Sequence, residues 1–437
     1  MNAFSRRGAC PALSAPMQTG DGLLVRLNPA AGGLAPNALI GLCESAARHG
    51  NGIVEVTARG SIQIRGLTPS AADKLAAEVD ALRIDVRTGV PVETGPLAGI
   101  DPDEIADPRP LAETIRLGIA TAGLSARLGP KVSVVVDGGG RLTLDDVLAD
   151  VRLVAIRRND GTAWHVSTGG TAATAKPLGT FAEDDASGAT LRILNAVAEI
   201  GPEARARDLS PPVWEASVAP RKGEGNVPIG ILPLGDSTFA LVLALPFGSL
   251  PAATLIDLAR KAGDLGTTEI RPAPRRALIL LGLSRPDCEI LLAQAAHLCF
   301  VTDPTDPRLS ISACPGSPSC ASGQLSTRDI ATELAQASPE FFDGSLALHV
   351  SGCAKGCAHP ASAALTLVGG ENGAGLVVDG AARDLPAGYT PRYEAATGLS
   401  RVAGLVRNNR MAGETSATCL ARLGAQTIVA AFTQDRA

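Results

Sequence analysis

Apolar and polar positions alternate through residues 50–67, "GNGIVEVTARGSIQIRGL", and this period of two predicts a β-hairpin. A strand-like run, "DGLLVRLNP", and a helical stretch, "APNALIGLCESAARHG", precede it. The same order recurs later in the chain. Residues 266–283 read "GTTEIRPAPRRALILLGL" and follow "TFALVLALPFG" and "PAATLIDLARKAG". Aligned without a gap, Gly50 falls on Gly266, Arg59 on Arg275, and Gly66-Leu67 on Gly282-Leu283. Strand, helix, strand, turn, strand thus appears twice, and the matching order of the flanks marks an internal duplication.

Each hairpin unit leads into a longer α/β segment. After the first come a helix in "DPRPLAETIRLGIATAG", strands in "KVSVVVDGG" and "DVRLVAIR", and a strand or helix in "ASGATLRILNAVAEI". After the second come a helix in "STRDIATELAQAS", strands in "SLALHVSG", "AALTLVGG" and "GAGLVVDG", and a C-terminal helix near "CLARLGAQTIVAAF". The Pro-, Gly- and charge-rich stretch "GPEARARDLSPPVWEASVAPRKGEGN" is the expected boundary between the halves.

Composition narrows the class. A chain of 437 residues is too long for one ordinary core, and 45% hydrophobic with 19% charged residues is ordinary for a globular enzyme. Aromatics are only 3% against 48 Gly and 31 Pro, so small aliphatics must fill the cores and turns must be many. A net charge of -5, with no Lys/Arg run interleaved with aromatics, argues against nucleic acid as a partner. The longest uncharged run, Ser237 to Ile256, is interrupted by two prolines and reads as strand, turn and helix, not as a membrane span. No apolar stretch near the start suits a signal peptide, so a cytoplasmic location is expected, where paired cysteines are metal ligands more often than disulfides.

The cysteines are the candidate chemistry. Of nine, four form two tight pairs: Cys314-x5-Cys320 in "ACPGSPSCASG" and Cys353-x3-Cys357 in "SGCAKGCAHP". Both pairs lie in the second α/β segment; the counterparts in the first, "ETGPLAGID" and "VVDGGGR", have none. Four thiolates on loops of small residues suit an iron–sulfur cluster, because backbone amides can then approach the sulfurs. Structural zinc is the rival reading, and the five-residue spacing speaks against it. Cys43, Cys288 and Cys299 lie in apolar helical stretches and are expected to be structural, as is Cys419; Cys10 sits in an exposed-looking segment.

The cysteine pattern, the duplicated units and "TARGSIQIRG" together resemble the sulfite/nitrite reductase superfamily, over nearly the whole chain. The resemblance implies an α+β fold of two ferredoxin-like half-units, 1–85 and 206–300, each followed by a larger α/β unit, 86–205 and 301–437. It implies a [4Fe–4S] cluster held by Cys314, Cys320, Cys353 and Cys357, with Cys357 facing the active site. A tetrapyrrole polycarboxylate needs a local cationic pocket despite the acidic whole, and Arg suits carboxylates best. Arg59, Arg65, Lys131, Arg271, Arg275 and Arg276 are the candidates, each with a solvated surface charge as its bland alternative.

Departures from the reductases are informative. His359 stands where they usually carry Arg, Ser133 replaces the second of their paired lysines, and Arg87-Thr88 replaces their Arg-Asn step. "RGACPALSAPMQTGDGLLVRLNP", "VVDGGGRL" and the two cysteine motifs resemble instead the cobalamin-pathway branch, the precorrin-3B synthases. That implies an oxygen-dependent monooxygenase that hydroxylates precorrin-3A at C20 with γ-lactone formation. The implied cofactors are a [4Fe–4S] cluster and a non-haem iron, with electrons ultimately from NADH. Without a G-x-G-x-x-G after a strand, a separate reductase or ferredoxin is the expected donor. Of the five histidines, His359 is the candidate catalytic residue, and the iron ligands are not assignable from sequence. The alternatives are a sirohaem-dependent sulfite or nitrite reductase and, more remotely, a single-cluster electron carrier.

Overall fold

The computed structural model describes residues 11–159, 161–209, 228–235 and 237–433. Cys10 and most of the expected inter-half boundary lie outside them. The first hairpin unit comprises β1 (Met17–Thr19), β2 (Gly22–Leu27), α1 (Pro36–His49), β3 (Ile53–Val56), β4 (Ile62–Leu67) and α2 (Pro69–Ala81). The first α/β unit follows as β5 (Val92–Thr94), α3 (Arg109–Thr121), β6 (Val134–Asp137), β7 (Ala149–Arg158), β8 (Gly161–Gly170), β9 (Lys176–Phe181) and α4 (Glu183–Ile200). The second half repeats the order. It has β10 (Gly230–Pro233), β11 (Phe239–Ala244), β12 (Ser249–Pro251), α5 (Ala252–Asp264), β13 (Glu269–Ala273), β14 (Ala277–Leu283) and α6 (Arg285–His297). Then come β15 (Ile311–Ala313), α7 (Thr327–Ala337), β16 (Leu348–Ser351), β17 (Ala363–Gly370), β18 (Gly373–Gly380), β19 (Gly388–Thr390), α8 (Ala395–Asn409) and α9 (Ser416–Thr433).

The duplication reaches into backbone detail. Gly66 and Gly282 both adopt positive φ (+73° and +87°), and the pairing register shifts beside each, between Leu23 and Val25 on β2 and between Phe239 and Leu241 on β11. An L side chain is strained at such a φ, so glycine serves both bulges. The α/β units also match. β5, β6 and β7 run parallel with β8 and β9 antiparallel beyond them, and β15 to β19 repeat that topology strand for strand.

The hairpin units are not independent. Leu39, Leu42, Cys43 and Ala46 of α1 share one core with Leu255, Leu258, Ala259 and Ala262 of α5. β12 leaves its own unit and pairs antiparallel with β3, completing the order β1-β2-β4-β3-β12. The hairpin tips also meet, through a bridge between Arg59 and Pro274 and a 2.9 Å bond from the Arg275 N–H to the Ala58 carbonyl.

The segment read as strand or helix, "ASGATLRILNAVAEI", is helical in α4, with Glu183, Asp184 and Asp185 in its first turn favouring the helix dipole. Cys299 departs from its expected setting: α6 ends at His297, and Cys299 lies beyond it, exposed, at φ +66°. Cys43, Cys288 and Cys419 are buried in helices, as small core hydrophobes.

Candidate functional site

The carboxyl ends of β15 and β16 deliver the four paired cysteines to one place, the edge where ligands gather in parallel sheets. Cys314 directly follows β15 and is buried; Cys353 and Cys357 lie on the loop after β16. The two loops are closed on each other. Gly352 donates its N–H to the Cys314 sulfur at 3.2 Å, and Gln324 N–H donates to the Gly352 carbonyl at 2.7 Å. A Cβ on Gly352 would stand 3.1 and 3.2 Å from the Cα atoms of Gly323 and Gly316, so side chains are excluded where the loops touch. Desolvation pushes the Cys357 thiol up, and Cys353, Cys314 and Cys320 push it further, so the four sulfurs share one field. Among the described residues, no three His, Cys, Asp or Glu side chains converge tightly enough to hold a single metal ion. The donor set nonetheless fits a cluster: four thiols at two strand ends, glycine contacts between their loops and an amide already directed at one sulfur.

The first hairpin unit braces this site. Arg65 is buried, paired with Asp21 at 2.9 Å, and donates to the Ser319 carbonyl at 2.7 Å, beside Cys320. Arg65, a candidate for carboxylate recognition in the sequence, is here committed to a buried ion pair and to the cysteine loop, with Glu55 also nearby. Arg276 takes an equivalent post on the other side, donating to the Ala358 carbonyl at 3.2 Å and to Ser312 Oγ at 3.3 Å. Burial lowers its pKa to about 10, with Arg328 adding repulsion. It remains charged at neutral pH.

His359, next to that loop, is half-buried and stands edge-on to the fully buried His349, ring centroids 5.8 Å apart. Burial, then His359 and Arg276, lower the His349 pKa to about 4, so its ring is neutral.

A separate cleft of about 280 Å³ opens between the hairpin tips and the first α/β unit. Five arginines line it: Arg59, Arg87, Arg109, Arg116 and Arg271, with Glu93 and Glu113 among them. Several are held by backbone carbonyls, Arg59 by Leu148 at 2.7 Å, Arg116 by Val92 at 2.8 Å and Arg271 by Pro96 at 2.9 Å. Arg87 loses solvation there, which lowers its pKa, while Glu93 offsets part of the cost. Of the sequence candidates, the cleft gathers Arg59 and Arg271. Arg275 instead pairs with Asp146, and Lys131 is exposed before β6. None of the described residues lining the cleft comes from 301–437. Arg109 and Arg116 are not among the sequence candidates, although two arginines seven residues apart on an amphipathic helix necessarily share a face.

A profile described as the nitrite/sulfite reductase ferredoxin-like half domain matches residues 15–82. A curated precorrin-3B synthase from Sinorhizobium sp is 43% identical over 99% of this chain and 96% of its own length. The chain belongs to the precorrin-3B synthase family. Beyond these synthases the relationship thins. The ferredoxin–nitrite reductase of Synechococcus elongatus is 24% identical over 87% of the chain and 83% of its own. The structure of the Mycobacterium tuberculosis NirA protein superposes with a TM-score of 0.72 at 18% identity, covering 93% of this chain and 84% of that one. The fold of this precorrin-3B synthase family member is therefore the α+β nitrite/sulfite reductase-like one.

Proposed function

We propose that this chain converts precorrin-3A to precorrin-3B in a dioxygen-dependent monooxygenation, with hydroxylation at C20 and γ-lactone formation. The carrying observation is the 43% identity to a precorrin-3B synthase over 99% of the chain. The arginine-lined cleft supports it chemically, because a precorrin presents many carboxylates and planar guanidiniums engage carboxylates in pairs. In this reading Arg59, Arg87, Arg109 and Arg271 orient the macrocycle, while Glu93 and Glu113 restrict where its carboxylates can lie. Cys314, Cys320, Cys353 and Cys357 hold a [4Fe–4S] cluster, which supplies electrons one at a time when bound. A separate reductase or ferredoxin, drawing on NADH, reloads it. The setting is cytoplasmic, where free thiols stay reduced for iron.

The test is the visible spectrum of protein purified without oxygen, followed by precorrin-3A turnover in air. A broad charge-transfer absorption without macrocycle bands, turnover dependent on dioxygen, and weaker precorrin binding by Arg87→Ala with the cluster intact are expected. Sharp red-region bands would identify sirohaem and move the chain to the reductase reading. Cys353→Ser is expected to lose the absorption, and a fully coloured variant would remove Cys353 from the ligand set.

A further inference from the structure

Two arginines, one from each repeat, reach the two cysteine loops. Arg65 holds the carbonyl of Ser319, the residue before Cys320, and Arg276 holds that of Ala358, the residue after Cys357. Their charges differ in effect. Arg65 faces Asp21 at 2.9 Å and Glu55 at 3.8 Å, so its charge is largely cancelled where it lies. Arg328 of α7 is likewise paired with Glu55. Arg276 meets only neutral acceptors, the Ala358 carbonyl and Ser312 Oγ. Among the described residues no carboxylate lies within ion-pair distance of it, and the charge it feels, that of Arg328, repels. An unpaired, desolvated cation is costly, and the turn does not need one. Gly60 occupies the aligned position in the first repeat and adopts the same left-handed backbone freely. Room is also made for the Arg276 stem: a Cβ on Gly248 would stand 2.7 Å from Arg276 Cδ.

We infer that Arg276 raises the reduction potential of the iron–sulfur cluster, a step that rests on the cysteine ligands proposed above. A cluster on four thiolates is anionic, and each electron it takes from the external donor makes it more so. Arg276 therefore stabilises the reduced form more than the oxidised one. Its charge is withdrawn from water and has no carboxylate beside it, so little screens that effect. Lys355 is the contrasting case. It lies between Cys353 and Cys357 in sequence, but it is exposed and donates to Ser322 Oγ at 2.7 Å, where solvent screens it. The second repeat thus keeps a strained arginine where the first keeps glycine, and the arginine makes the cluster easier for a donor to load.

A redox titration of the full chain tests this, with the cluster reconstituted without oxygen from iron(II) and sulfide and its reduced form read by electron paramagnetic resonance. Arg276→Gln keeps a donor for the Ala358 carbonyl and removes the charge. It is expected to shift the one-electron equilibrium roughly tenfold toward the oxidised form, a midpoint lower by about 59 mV. Arg276→Lys and Lys355→Gln are expected to stay within about three-fold of wild type. A change of less than about three-fold in Arg276→Gln overturns the assignment. So does an equal fall in Arg276→Lys, which would credit the hydrogen bond, or in Lys355→Gln, which would credit overall charge. Should Arg276→Gln fail to hold the cluster, Ser312→Asp decides, because it sets a carboxylate beside an intact guanidinium. A lower midpoint is then expected, and an unchanged one overturns the role. A wild-type chain that forms no cluster overturns it together with the cysteine ligands. No tetrapyrrole enters the titration, so missing precorrin turnover with the shift present counts against the reaction alone.

Discussion

At Gly60 and Arg276 the two repeats place left-handed backbone, φ +83° and +66°, under opposite side chains. Glycine adopts this conformation freely, whereas a long side chain there costs about 1–3 kcal/mol. The second repeat carries that strain beside the cysteine loops, where the Arg276 guanidinium holds Ala358 and Ser312. His349 adds to the cost, since buried unpartnered polar atoms forfeit about 1–3 kcal/mol each. Both departures from an unstrained core cluster at one site, as functional sites tend to do. Gly352 makes the opposite demand, for no side chain at all. Gly352→Ala is expected to lower iron content roughly two-fold or more, with far-UV circular dichroism unchanged, because packed loops relax only partly around an added methyl. Full iron occupancy would mean the loops can part freely. Glu104 offers a pH test. Burial, reinforced by Asp107, Asp101 and Asp137, raises its pKa from 4.5 to about 7. The folded protein therefore holds this proton more tightly than the unfolded chain does. The resulting stabilisation is full below about 4.5 and is lost as pH climbs through about 7. Glu104→Gln keeps an acceptor for the Gly99 N–H, 2.7 Å away. Denaturant titration is expected to show it more stable than wild type at pH 8 by about 1–2 kcal/mol, and equal to it near pH 4. A constant difference across pH would assign the effect to packing.

Between elements, the loops after equivalent strands have diverged while the strands have not. Those after β15 and β16 carry the four cysteines; those after β5 and β6 carry Asp101, Glu104 and an Arg141 paired with Asp101 at 2.8 Å. Much of this was legible in the sequence. The hairpins follow from period-two alternation, α1 and α5 from their amphipathic stripes, and the cysteine loops from spacing alone. Less legible were α2 and α6, whose apolar positions are short and Ala-rich, and the antiparallel strands β8 and β9. The cleft is legible only in part, through Arg59 and Arg271. Repeat alignment singled out Arg59, but nothing local tells that Arg65, six residues on, points instead into a buried pair with Asp21. An arginine's partner is set by tertiary contact over dozens of residues, which periodicity does not encode.

In the whole molecule, the shared α1–α5 core makes the halves one stability unit. Residues 15–82 match a recurring half domain, yet in isolation they would expose the apolar face of α1 and the edge of β3. That fragment is expected to be unfolded or self-associated, as read by circular dichroism and sedimentation; a folded monomer would show that the half-unit needs no partner. Within the full chain, Leu258→Ala is expected to cost about 2–5 kcal/mol and to lower a single unfolding transition for both hairpin units. The loan of β12 to β3 has a consequence during synthesis. The N-terminal sheet leaves the ribosome with an open edge and keeps it until Pro251 emerges, after the entire first α/β unit has been made. For that interval the nascent chain presents a ready template for mispairing, so its yield in the cell depends on elongation speed and on chaperones that shield the edge.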